Sequence, residues 1–265
     1  MIYITPAPAA LIDQYAEANA QPMVSYDNLL ARGTIADPAF PALTPRKNAV
    51  DGTTATVWGF TGASTLRSTL AGADVADVAF IAAHTMAGLP VTVQRLVGAV
   101  WTDTATVTPP DNQPFMMVFP RQSSNGWGLS VGGTGVIGVA WVGARLIIPG
   151  GVVPGYSEVW ASREYTKLGG GTRRGHWLGQ RIEAVTANLS AQFMPVRHDF
   201  ALKTMRDFRE VYNTGEPFIW ASSPGVFGED AAYCWAEDDD YLNPRPLAGG
   251  DLCELSMRMV AYCEV

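Results

Sequence analysis

Residues 115–148 read FMMVFPRQSSNGWGLSVGGTGVIGVAWVGARLII, and their spacing decides how the rest of the chain is read. Two short apolar runs, 115–119 and 127–131, stand on either side of Ser123-Ser124-Asn125-Gly126, and a third, 136–148, follows Gly132-Gly133. Runs this short, bounded by turn residues, fit strands, since a globular helix needs about 10–12 residues. The third run holds either two strands or one strand bent at Gly143. Upstream the same texture gives strands at 54–60, 78–83 and 91–97, with Pro109-Pro110-Asp111-Asn112 as a further turn; 66–70 reads as a helical turn that interrupts the pattern locally. Together these segments predict a β-sandwich or jelly roll over 49–157.

Two glycine motifs inside this stretch match enzyme patterns but lack the context those patterns need. Gly128-Leu129-Ser130-Val131-Gly132 has the spacing of a nucleophile elbow, yet no helix begins after the serine. Gly133-Thr134-Gly135-Val136-Ile137-Gly138 has the spacing of a dinucleotide fingerprint, with Glu158 where a ribose-binding acid would fall. It should open a helix, whereas the β-branched residues before Pro149-Gly150 read as strand, so a hairpin turn is expected there. The chain is therefore read as a non-enzyme without cofactors. A glycan hydrolase, the alternative, would need paired carboxylates at a defined separation.

Beyond residue 157 the texture changes. The stretch 177–193 alternates like a strand, and Phe200, Leu202, Met205, Phe208, Val211 and Tyr212 recur at helical spacing, with Asp199 as N-terminal cap and Gly215 as stop. Further strands are expected at 217–221, 231–235 and 252–265. The segment 158–265 is thus a second, α+β domain with one helix on a sheet. Residues 1–48 combine a short strand at Ile2–Ile4 with two Pro-rich runs, and read as an arm that either reaches another unit or adds a strand to this chain's own sheets. If that strand joins the second domain, the first is an insertion.

Of 265 residues 48% are hydrophobic and only 16% charged, which fits a protein that covers much of its surface. A net charge of -7 excludes a general phosphate-backbone binder. One basic cluster, Arg163, Lys167, Arg173, Arg174, His176 and Arg181, reads as a solvated loop entering a strand or as a contact with a subunit or nucleic acid. No stretch approaches the roughly 20 apolar residues of a membrane helix, and the first residues lack the layout of a secretion signal. Cys234, Cys253 and Cys263 have no zinc-like spacing, and their odd number favours a reducing compartment. His84, His176 and His198 are isolated, and the acidic run Glu237, Asp238, Asp239 and Asp240 reads as a solvated loop rather than a calcium site, so no metal is expected. Among eight tryptophans most must be core. Trp101 and Trp127, near expected loops with Asp103 and Arg121, are the candidate ligand contacts, a sugar being the ligand that stacks on such rings.

Four segments carry a resemblance: 51–58 with Asp51-Gly52 and Thr56-Val57-Trp58, 73–85 with Ala79-Phe80-Ile81-Ala82-Ala83-His84-Thr85, Trp127-Gly128-Leu129, and 137–149 ending Ile147-Ile148-Pro149. In combination they resemble the galactose-binding-like jelly rolls of tailed-bacteriophage tail proteins. Residues from about 163 on, with Arg163-Glu164, Leu168-Gly169-Gly170 and Pro217-Phe218-Ile219-Trp220, look like the C-terminal part of minor tail or tail-tip proteins. The resemblance implies a structural subunit of the virion tail tip, assembled in the host cytoplasm as a homo-oligomeric ring or ring decoration. Its partners would be other copies of itself and neighbouring tail proteins. The alternative is a carbohydrate-binding module that contacts a host-envelope glycan.

Overall fold

A computed structural model describes residues 1–7, 12–36, 43–171 and 177–264. In chain order the strands are β1 (Ile2–Ile4), β2 (Met23–Ser25), β3 (Thr34–Ala36), β4 (Trp58–Phe60), β5 (Ser64–His84), β6 (Val91–Val97), β7 (Val100–Val107), β8 (Phe115–Val131) and β9 (Gly135–Gly143). They continue as β10 (Leu146–Ile147), β11 (Arg163–Gly171), β12 (Trp177–Gln192), β13 (Val196–Arg197), β14 (Phe218–Ala221), β15 (Ala231–Ala236), β16 (Arg245–Pro246), β17 (Leu252–Glu254) and β18 (Ser256–Cys263). Three short helices, α1 (Ile12–Asn19), α2 (Leu29–Arg32) and α3 (Arg206–Asn213), lie between them.

At 21 and 17 residues, β5 and β8 are far longer than the usual strand, and each serves two layers. Their shared ladder slips between Thr69 and Asp74 and again between Ala76 and Val78, and such irregularities bend a strand. On one side of the bend 64–69 pairs with 126–131, and β6, β7 and β3 extend that half. On the other side 78–81 pairs with 115–118, and β9, β4 and β1 extend it. The halves close on one core, to which Leu66, Val93, Trp127 and Leu129 come from the first and Ile81, Phe115, Phe119 and Ile137 from the second. The mainly β, sandwich architecture is the one the turn-punctuated runs predict. Three local expectations differ. Residues 123–126 do not form a turn between two strands but run inside β8, because long-range pairing with β5 holds them extended. Residues 66–70 continue β5 rather than forming a helical turn. The turn at 132–134 is not a hairpin, because β8 pairs with β1, β5 and β6 whereas β9 pairs with β4 and β5, so the glycines carry the chain from one half to the other.

The second sheet runs β10-β2-β14-β15-β18-β12-β11. On it lies α3, whose Phe208 and Tyr212 rings meet Phe218 at 5.2 and 5.8 Å. The helix is preceded by a π-helical turn, Phe200–Thr204, whose first N–H is accepted by Asp199 Oδ1 at 3.0 Å, and Gly215 with φ +74° follows its end. The N-terminal stretch is threaded through both layers. β1 and β3 add to the first sheet and β2 to the second, so the described strands there complete this chain's own sheets.

Between the layers sits a third apolar cluster. Val78, Phe80, Met116, Val118 and Trp141, on the outer face of one sandwich half, pack against Ile219, Ala221 and Tyr233 of the second sheet. Beside it Arg145 is buried with Asp77, Nε to Oδ2 3.3 Å, while its Nη1 donates to Asn19 Oδ1 at 2.5 Å and its Cζ lies 5.7 Å from the Tyr15 ring centroid. Burial pushes the Tyr15 phenol up to about 12, against the pull of the Arg145 charge. The cation thereby ties α1 to the sandwich, a pairing that offsets the cost of desolvating two charges. Since one apolar cluster joins the layers, Phe80→Ala is expected to lower stability by about 3–5 kcal/mol. In urea, tryptophan fluorescence and far-UV circular dichroism should report a single coincident transition for the unsubstituted chain, and two separated transitions would contradict this coupling.

Candidate functional site

The second sheet covers the outer face of only one sandwich half. Among the described residues nothing packs on the outer face of the other, and across it run Thr65 and Arg67 of β5, Gly128 and Ser130 of β8, and Thr92 and Gln94 of β6. β7 completes this face through an irregularity. Val93 pairs with Ala105 but Gln94 pairs with Asp103, which leaves Thr104 as an extra, unpaired residue. Ala105 and Val107 point into the core, so strict alternation would turn Asp103 and Trp101 inward as well. The bulge reverses that phase, since one extra residue moves every side chain before it to the opposite face. Trp101 and Asp103 therefore stand outward beside Gln94.

The groups so gathered hold one another. The Arg67 guanidinium donates to Gln94 Oε1 from Nη2 at 2.9 Å and from Nε at 3.2 Å, and Gln94 Nε2 donates to Asp103 Oδ1 at 2.8 Å. Arg67 Cζ lies 4.8 Å from the Trp101 ring centroid, a cation–π contact. Beneath them β8 offers two glycines on one face. A Cβ at Gly126 would meet Leu96 Cβ at 2.9 Å and Trp101 Cη2 at 3.1 Å, and one at Gly128 would meet Arg67 Cγ at 2.9 Å, so both side chains lie flat only because neither glycine has one. In the adjacent row the Thr92 and Thr106 hydroxyls are 2.9 Å apart. Partial burial lowers the Arg67 guanidinium, with Asp103 opposing the shift, and the row of one cation, one amide and one anion carries no net charge.

Of the four residues singled out from the sequence, the fold brings Trp101 and Asp103 together. Arg121 lies five residues before Gly126 on β8, roughly 16 Å along an extended strand, and does not join them. Trp127 corrects an expectation: it is fully buried in the sandwich core against Phe119, ring centroids 6.2 Å apart, because it alternates inward with Leu129 and Val131. Sequence reasoning missed Arg67 and Gln94, whose only signal is an outward position opposite the alternating glycines 126 and 128.

Other groups are engaged in the fold. Ser130 lies near the end of β8, paired with Thr65 and Thr92, and the chain goes on through the turn at 132–134 into strand β9 and not into a helix. Asp240 Oδ2 accepts from the Tyr212 hydroxyl at 2.5 Å and from Arg258 N–H at 2.8 Å, and Glu237 faces Arg258 at 3.8 Å. The three cysteines are buried thiols, and among the described residues no cluster of His, Cys, Asp and Glu is placed to hold a metal. Arg173, Arg174 and His176 of the basic cluster lie outside the described residues. A concavity of about 410 Å³ between the layers is lined by Asp27, Arg32, Asp51, Trp141, Glu216 and Tyr233, with Asp27 ion-paired to Arg32 at 2.6 Å and Asp51 accepting from Thr53 N–H and the Thr56 hydroxyl.

No protein-family model matches the chain, and no curated protein matches it. Solved structures give low likeness. Chitosan-binding module 1 from a chitosanase/glucanase of Paenibacillus sp. IK-5 is 16% identical over 45% of this chain and 99% of its own, with a TM-score of 0.39. The family 32 carbohydrate-binding module of Streptococcus pneumoniae EndoD is 12% identical over 44% and 99%, TM-score 0.39, and the CBM32 of AlyQ, in complex with 4,5-unsaturated mannuronic acid, is 14% identical over 44% and 96%, TM-score 0.37. At these scores the likeness carries no argument about family or ligand, and the open face is read on its own geometry.

His84 gives a pH test of the sandwich. It is buried, with Nε2 3.0 Å from Gln113 O and Nδ1 accepting Met86 N–H at 3.0 Å, a pair of contacts that only the neutral ring can make. Burial lowers its pKa below the usual histidine value, so the unfolded chain takes up a proton first. The stability this ring contributes is complete above about pH 6.5 and is lost as pH falls below that. Thermal denaturation at pH 7.5 and 5.5 (roughly one unit either side of the free histidine value) should show the unsubstituted chain losing more of its Tm than His84→Gln. Equal losses would refute the assignment.

Proposed function

We propose that the open face is a carbohydrate-binding surface and that the protein is a binding module without catalytic activity. One observation carries the reading: the Thr104 bulge turns Trp101 out of the core and sets it beside Arg67, Gln94 and Asp103. Trp101, half-buried with its ring beside the Arg67 guanidinium, would offer the rest of its indole as an apolar plate to the C–H face of a pyranose ring. The guanidinium, amide and carboxylate supply fixed donors and acceptors for the hydroxyls around it. Glycan-array screening of the intact chain is expected to return at least one ligand, and Trp101→Ala to weaken it at least tenfold by calorimetry while Tm stays unchanged. An array that stays silent for the unsubstituted chain removes the reading, as does undiminished affinity in the variant.

A second reading, a homo-oligomeric assembly subunit of a phage tail tip that is built in the host cytoplasm, draws on the β11–β12 ribbon. Among the described residues β18 reaches no further than Val185 of β12, so β12 before that point pairs there with β11 alone, and β11 is the last strand of its sheet. An uncovered edge of this kind is a template for another chain. Light scattering behind size exclusion is expected to give a closed oligomer for this reading, and a monomer at high concentration would rule it out.

A further inference from the structure

The open face is ordered in registers two residues apart on each strand, about 6.6–6.8 Å from one to the next. In the first, Trp101 stands opposite Leu96, with Gly126 against both. The second is the row of Arg67, Gln94 and Asp103. The third is Thr106, Thr92, Ser130 and Thr65, one hydroxyl from each of β7, β6, β8 and β5. Neighbouring strands lie about 4.7–4.9 Å apart, so this hydroxyl row spans on the order of 14 Å. Thr106 is exposed and the other three are partly exposed. Thr92 and Thr106 bond to each other, whereas the Thr65 and Ser130 hydroxyls are open to solvent and have no hydrogen-bond partner among the described residues. Two residues further on stand Ala63, Pro90, Gly132 and Thr108, all exposed and none long enough to wall the row off.

We infer, resting on the carbohydrate reading of the open face, that the hydroxyl row is a further contact of the same ligand, which is an extended, neutral glycan chain lying along the strands. One ring rests on Trp101 and later rings reach the hydroxyls. Leu96 and Thr92, four residues apart on β6, set the distance between the two contacts at about 13 Å. The chemistry of the row selects the ligand class. Each hydroxyl offers a donor and an acceptor and carries no charge. An ion finds no counter-charge in such a row, and a partner protein finds none of the large apolar anchors on which interfaces are built. A chain that repeats uncharged hydroxyls on every ring meets it at each step. Arg67 does not alter this selection, because Asp103 compensates it through the Gln94 amide.

The experiment is calorimetry of the intact chain with the disaccharide and the hexasaccharide of the neutral array glycan that binds it, beside oligogalacturonates of the same two lengths as anionic probes. The neutral hexasaccharide is expected to bind more tightly than the disaccharide, and both more tightly than the oligogalacturonates. Thr65→Val combined with Ser130→Ala removes two hydroxyls that no group of the fold uses. Tm and disaccharide affinity should therefore hold, while the gain from the added rings shrinks by roughly fivefold or more, the worth of at least one hydrogen bond. A hexasaccharide that binds no better than the disaccharide, or a full gain in the double variant, overturns the hydroxyl row while leaving the Trp101 surface standing. An array on which only charged glycans bind, or oligogalacturonates that bind as tightly as the neutral pair, overturns the neutral ligand class. Failure of every glycan to bind overturns the carbohydrate reading and this inference with it.

Discussion

One constraint organises the molecule: the second half of β5 and the adjoining parts of β8 and β9 are buried on both faces. Ala79 and Ile81 enter the sandwich core while Val78, Phe80 and Ala82 enter the cluster beneath the second sheet. A strand in that position has no solvent side and must be apolar throughout, which is why 78–82 reads as a continuous run rather than an alternation. The low charge content of the chain follows in part from the same cause. So does the asymmetry of the sandwich, because the second sheet covers one outer face and, among the described residues, leaves the other open.

On that open face the determining feature is again a departure from regularity. A ladder without the Thr104 bulge would bury Trp101 in a core already filled by Trp127 and Phe119. The bulge costs the sheet one regular pair and leaves the Thr104 hydroxyl without a partner among the described residues. The bulge spares the core that overfilling, and local rule-breaking of this kind also tends to concentrate where a surface has work to do. The alternating glycines 126 and 128 point the same way: a strand gains nothing from missing side chains, but a flat bed for an indole and a guanidinium needs them absent.

Much of the fold was legible because its signals are local. The run at 91–97 carries its own turns, and the π-helical turn after Asp199 carries its own cap, whereas the Ser-Ser-Asn-Gly between 115–119 and 127–131 imitates a turn and runs inside β8. What was not legible depends on partners distant in sequence. Leu66 and Leu70 stand four apart and imitate a helical turn, and only pairing with 126–131 makes them strand. The N-terminal strands take their places in two different sheets, which no local pattern encodes. Trp101 and Trp127 look alike as loop-proximal tryptophans. Alternation with Leu129 and Val131 already argued that Trp127 points inward, whereas the outward turn of Trp101 rests on a bulge that exists only in its pairing with β6. Arg67 and Gln94 became visible as site residues only once that pairing placed them in one row.

The charge balance of that row bears on the carbohydrate-binding proposal. The chain carries a net charge of -7, and a field of that sign slows the approach of anions over the whole surface. Within the row, Arg67 is compensated by Asp103 through the Gln94 amide, so it presents no surplus positive charge that would overcome the field. On the carbohydrate-binding proposal, discrimination at this face would rest on the stacking plate and on the directions of its donors and acceptors, both of which the sheet fixes. A rigid, uncharged, hydroxyl-bearing ring meets those conditions with little ordering cost. A flexible or anionic ligand meets neither.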